Sequence, residues 1–263
     1  MPFIKANGIK TYYEMHGKNS PLICIGGLLN HSGIWKEYLC EIAKKFQVVL
    51  FDPRGSGKTE TTSPPYTIDL FADDLIALMD ALQISSASMI CFSMGTLIIQ
   101  SLALRYPKRI NRAILLSPFN KIPKTALMQL KVSSKLLHAG IPPNLVAANS
   151  LPWLYGESFL QEPDRVNHII HEIMNDPYPP SPLSYQGGLS ALSHFDITEK
   201  LHIIQTEMLL LPGECDLFTP LSSAMELKKN LPHATLHILK NAGHMTLIES
   251  KDEVLSHISS YLT

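Results

Sequence analysis

The sequence predicts an α/β fold, a mostly parallel, doubly wound sheet of about eight strands with a helical insertion between the sixth and seventh strands. Three observations predict it. Short, nearly continuous apolar runs recur at 22–25, 48–51, 88–92, 113–116, 208–211 and 235–239, the pattern of strands covered on both faces by helices. Helical periodicity fills the gaps between them, so strand and helix alternate as right-handed crossovers require. From 120 to 205 that alternation stops, and prolines punctuate short helical pieces rich in Leu, Met and aromatic residues.

Taken in order, 3–6 and 9–14 alternate in polarity and flank Asn7-Gly8, a dipeptide suited to the positive φ angles of a hairpin turn. They read as an antiparallel opening. A helix is expected at 34–45, and another at 67–82, where Ile68, Phe71, Leu75, Leu78 and Leu82 line one face. The helix at 94–106 should stop before Pro107, because a residue preceding proline is driven out of helical geometry. A helix at 251–262 closes the chain. Residues 1–119 and 206–263 are therefore expected to form one core, with 120–205 as a helical lid.

Composition narrows the partners. The 263 residues carry 22 basic and 23 acidic side chains, a formal net charge of −1, which gives no field favouring nucleic acid. No apolar run is long enough to span a bilayer, and the first residues lack a secretory pattern. Cys24, Cys40, Cys91 and Cys215 show no CxxC spacing; three sit in apolar, strand-like settings and read as buried free thiols. A cytoplasmic enzyme acting on a small molecule is the expectation.

The chemistry begins at CFSMG, residues 91–95, where Ser93 stands between an apolar strand and a helix. The central Ser and final Gly match the GxSxG nucleophile elbow, a strained turn that lifts a hydroxyl above a sheet, with Cys91 in place of the first Gly. Alone, such a serine is more often a simple helix N-cap. Asp216 in LLLPGECDLFTP and His244 in LHILKNAGHMTLIE follow later strands, giving the chain order Ser, Asp, His. All three then gather at the carboxyl edge of the sheet, where open α/β sheets collect functional loops.

With these motifs, the sequence resembles the α/β-hydrolase superfamily over essentially its whole length. DPRGSGKTE is similar to that family's DxRGxGxS loop, and within the superfamily the chain resembles small esterases and 3-oxoadipate enol-lactonases. The resemblance implies an oxyanion hole made of the Met94 backbone N–H and one from CIGGLLNHSGIW. Relatives commonly read HGLGG there; alignment puts Gly26 at the His and leaves Leu28 as the second donor.

Other features are set aside. RGSGKT lacks the first glycine of a P-loop, Asp52 standing in its place. His168 and His171 could share a helix face but have no third ligand, so no metal site is expected. Asp196 precedes a strand, Asp52 sits in a bracing Pro-Arg-Gly context, and Glu249, at the start of the last helix, is better placed to support the histidine loop than to serve as the triad acid. His31 reads as a surface histidine or one facing substrate. The expected reaction is acyl transfer from a largely apolar ester or lactone, with no cofactor. Thioester cleavage, C–C bond hydrolysis and silent ligand binding stay open. Phe119 and Trp153 are candidate substrate contacts, with Leu151, Leu154 and Phe159 as further lid residues.

Overall fold

The computed structural model describes residues 2–263. It opens with the expected hairpin: β1 (Phe3–Ala6) pairs antiparallel with β2 (Ile9–His16), and Asn7 and Gly8 turn it with φ of 44° and 80°. Next come β3 (Pro21–Ile25), β4 (Gln47–Phe51), β5 (Ala87–Phe92), β6 (Ile110–Leu116), β7 (Met208–Leu211) and β8 (Ala234–Leu236). Among the described residues they form one eight-stranded sheet of order β1-β2-β4-β3-β5-β6-β7-β8, parallel from β4 onward. The order reverses between β3 and β5. Such a reversal opens a crevice at the carboxyl ends of the two strands, because their following connections leave in opposite directions.

Two apolar cores explain the continuous runs. Ile23, Val49, Met89, Cys91 and Leu115 point into one cluster; Leu22, Cys24, Val48, Leu50, Ile90 and Ile114 point into the other. Period-two geometry sends alternate side chains to opposite faces, and both faces are covered. Each fully buried Leu or Ile contributes about 1.5–3 kcal/mol. The second core is roofed by α1 (Lys36–Ile42), through Tyr38 and Ile42, while α2 (Ile68–Ala81) and α3 (Met94–Arg105) cover the first. Thr67 caps α2 by accepting the Leu70 N–H at 3.0 Å, worth about 1 kcal/mol.

Between β6 and β7 run α4 (Lys124–His138), α5 (Pro143–Ala148), α6 (Leu151–Leu154), α7 (Glu157–Leu160), α8 (Pro163–Met174) and α9 (Pro182–His194). Prolines open α5, α6, α8 and α9, positions where their missing N–H costs nothing. After β7, α10 (Leu221–Asn230) returns to the first core, and α11 (Thr246–Glu249) and α12 (Lys251–Tyr261) complete the second.

Several local expectations are corrected. The 34–45 helix begins as a 3-10 turn, Ser32–Trp35, because the His31 ring accepts the Gly33 N–H; its α-helical part stops at Ile42. The last strand ends at Leu236, and Leu239 pairs with Gly213 as an isolated bridge outside it. Glu249 ends α11 rather than starting the last helix. Of the cysteines, Cys24 and Cys91 are buried, whereas Cys40 and Cys215 are exposed and unpaired. No helix among the described residues is long and apolar enough to cross a membrane.

The loop after β4 is held by a buried ion pair. Arg54 donates to both carboxylate oxygens of Asp74 on α2, at 2.8 and 2.6 Å, and Asn7 donates to the same carboxylate. Asp52 accepts the N–H groups of Ser32 and Lys58, the bracing its context predicts.

Candidate active site

Ser93 sits at the end of β5 with φ of 50° and ψ of −118°, a left-handed conformation that costs a non-glycine residue roughly 1–3 kcal/mol. The packing around it enforces the strain. A side chain on Gly95 would lie 2.7 Å from the Gly26 carbonyl oxygen and 2.9 Å from that of Ile25, so α3 can approach β3 only with hydrogen at 95. The cysteine two residues before Ser93 is fully buried. Its Sγ donates to the Ile114 carbonyl at 3.4 Å inside the first core, and burial pushes its thiol well above the usual range. Cys91 is thus a packing group.

The loops after β7 and β8 bring the expected partners to this serine. His244 Nε2 lies 2.9 Å from Ser93 Oγ, and His244 Nδ1 lies 2.8 Å from Asp216 Oδ2. All three residues are buried. Asp216 Oδ1 accepts the N–H groups of Phe218 and Thr219 at 2.8 and 2.7 Å, a turn that satisfies the carboxylate as an acceptor. Asp216 Oδ2 is placed to accept from an N–H at Nδ1, which leaves Nε2 free to accept from the serine hydroxyl.

Groups that no sequence motif marks complete the arrangement. Thr219 Oγ1 donates to Asp216 Oδ2 at 2.8 Å and lies 3.0 Å from His244 Nδ1. Ser117, at the end of β6 with φ of 51°, donates its hydroxyl to the His244 carbonyl at 2.6 Å. The rings of Phe92 and Phe218 flank the imidazole at 5.2 and 5.0 Å. The positions of Phe218 and Thr219 just after Asp216 are the one sequence signal that could have pointed to them.

Beside Ser93, Leu28 and Met94 are both present at the switch point. Among the described residues neither backbone N–H has an acceptor within the protein, whereas Gly27 N–H is taken by Asn30 Oδ1 at 3.0 Å. A side chain on Gly27 would come within 3.0 Å of Ser93 Cβ, which places this loop directly against the serine. Above it, Gly188 of α9 leaves room for Leu28: a side chain there would collide with Leu28 Cδ1.

Glu249 ties this centre to the inserted helices. Its Oε2 accepts the N–H groups of Gly243 at 3.0 Å and Gly156 at 2.8 Å, and Met245 N–H donates to the Leu154 carbonyl. Desolvation raises the Glu249 carboxyl above its ordinary value, and the two backbone donors offset part of that rise. Support of the histidine loop is its observed role, extended to a segment 93 residues away in sequence.

The remaining candidates lie elsewhere. Asp196 pairs with Thr198 and Lys121. His31 contacts Asp176 at 3.4 Å and stacks edge-on against Tyr178. His168 and His171 are both exposed on α8. Phe119 is 1% exposed and packed in the first core. Trp153 is 38% exposed and joins none of the apolar clusters, unlike Leu151, Leu154 and Phe159. A cavity of about 90 Å³ opens between Leu29, Gly55, Gly57, Tyr178 and Ser181, lined by none of the three clustered residues.

Comparison with known proteins gives a consistent picture. The model of the alpha/beta hydrolase fold family matches residues 20–141, and that of TAP-like proteins matches residues 193–263. The chain is 27% identical to the "Putative carbamate hydrolase RutD" of Caulobacter sp. (strain K31), covering 96% of this chain and 95% of that one. It is 28% identical to 3-oxoadipate enol-lactonase 2 of Acinetobacter baylyi, over 94% and 90% respectively. The solved enol-lactonase of Burkholderia xenovorans LB400 superimposes with a TM-score of 0.87 at 24% identity, covering 99% of both chains.

Proposed function

We propose that this chain, which belongs to the α/β-hydrolase superfamily and is a hydrolase of that family, is a serine hydrolase of small, largely apolar carboxylic esters or lactones. The observation that carries this reading is the hydrogen-bonded series Ser93, His244, Asp216, at 2.9 and 2.8 Å, with the serine on a strained elbow. The two similar relatives are named as a putative carbamate hydrolase and an enol-lactonase. Both are carbonyl compounds, which favours addition to a carbonyl carbon as the shared step.

His244 Nε2 takes the hydroxyl proton as Ser93 Oγ attacks, and Asp216 holds the imidazole and stabilises its cationic form. The developing oxyanion accepts from the N–H groups of Leu28 and Met94; one such donor is typically worth about 10²–10³ in turnover. The imidazolium then protonates the leaving oxygen. Water, deprotonated by the same nitrogen, releases the acyl group. Each step uses groups of the chain itself. The helices of 120–205 serve as a lid, with α9 seated on the Leu28 side of the crevice.

A fluorophosphonate probe tests the reading. The native protein should be labelled, and Ser93→Ala should abolish labelling with the fold unchanged by circular dichroism. Persistent labelling of Ser93→Ala would overturn the assignment. p-Nitrophenyl esters graded by acyl length, run beside lactones and acyl thioesters, then rank the substrate classes.

A further inference from the structure

We propose that His237, Glu253 and His257 form a binding site for one divalent transition-metal ion of the zinc class, on the face of the molecule where β8 ends. One potential ligand atom from each residue lies within 4.8 Å of the others. The three side chains come from two separate segments, so only the folded chain brings them together.

The local geometry is that of a chelate. Glu253 and His257 stand four residues apart on α12, which puts them one turn apart on a single helix face. His237 reaches them from the segment leaving β8, its Nε2 at 2.6 Å from Glu253 Oε1 and its ring centroid 4.5 Å from that of His257. The helix is fixed beneath them by Val254 and Ile258, both fully packed in the second core. The ligand side chains are solvent-accessible to differing degrees, so the ion has an entry path. In a tetrahedral site, ligand atoms about 2.0–2.1 Å from zinc stand about 3.3 Å apart. Small rotamer adjustments of exposed side chains cover the difference.

Two imidazoles and one carboxylate suit zinc, nickel or copper. Calcium and magnesium demand more oxygen ligands than this site offers. Three protein ligands leave the remaining coordination to water.

Placement gives the site a consequence. His237 and Glu253 are 16 residues apart, and His244 and Glu249 lie between them. A bound ion closes that segment into a loop, so loading holds the histidine loop against the sheet and stabilises the folded chain.

The test uses the untagged full chain, stripped with chelator and titrated with zinc chloride by calorimetry, beside thermal unfolding. One zinc per chain with micromolar affinity is expected. At roughly tenfold excess over Kd the Tm should rise by about 3–5 °C, and calcium or magnesium should produce no rise. His257→Ala and Glu253→Ala should each weaken zinc binding at least tenfold while leaving circular dichroism and metal-free Tm near those of the parent. Absence of zinc binding by the parent, or unchanged stoichiometry and affinity in a His237→Ala/His257→Ala variant, would overturn the proposal. Fluorophosphonate labelling of Ser93 is expected with or without zinc, so the two proposals stand or fall separately.

Discussion

β5 buries all six of its residues, whereas α8, with twelve, buries none. The two mark the extremes of a division running through the molecule. Residues that position Ser93, Asp216 and His244 hang from strands packed on both faces. The helices between β6 and β7 instead carry exposed apolar side chains such as Met128, Val132 and Leu145. They are held by polar ties, among them Gly156 to Glu249 and Ser190 to Tyr66, and by buried side chains of α4 and α9 such as Leu130, Leu137 and Leu192 in the first core, while α8 contributes no buried residue. Sparse burial makes a segment inexpensive to displace. The proposed triad rests on the densely buried part, and α8 belongs to the sparsely buried one.

Three experiments press on that division. The largest effect is expected for Asp216→Asn, which presents an amide N–H to His244 and imposes the wrong tautomer; turnover of an ester substrate should fall about 10⁴-fold with Tm little changed. Undiminished turnover would place the acid elsewhere. Next, Arg54→Ala strands the buried Asp74 carboxylate and should cost about 3–5 kcal/mol of stability, whereas Trp153→Ala in the inserted helices should stay within about 0.5 kcal/mol. Equal losses in chemical denaturation would erase the contrast. The smallest effect concerns the tie itself. Because the Glu249 carboxyl is raised by burial, the folded state holds its proton more tightly than the unfolded chain does. Its contribution is therefore fully present below the ordinary carboxylate range and is lost as pH rises through the raised value. Glu249→Gln should flatten the fall of Tm across that window, and an unaltered slope would remove Glu249 as its source.

Much of the sheet and the order of its functional loops was legible because each depends on local signals: apolar runs, Asn7-Gly8, Pro107, and the small residue at 95. The contacts that finish the site were not. Ser117 meets the His244 carbonyl across 127 residues, and Glu249 meets Gly156 across 93; periodicity carries no information about such pairings. The burial of Phe119 in the first core and the exposure of Trp153 were not legible for a related reason. Aromatic character in or beside an inserted segment serves core packing and exposed surface alike, and only tertiary placement separates them. The boundaries at Ser32 and Leu236 shifted because a histidine cap and a departing strand end override propensity.

The elbow also bears on mutational freedom. Position 91 looks into a core that adapts to a sulfur atom, and position 95 faces two backbone carbonyls that cannot move aside. The two ends of the motif are therefore under unequal constraint. Alanine or serine should be accepted at 91 as readily as cysteine, while even a single methyl at 95 would push the helix from the strand. At the first end the side chain has room beside a carbonyl it can donate to; at the second there is space for hydrogen alone.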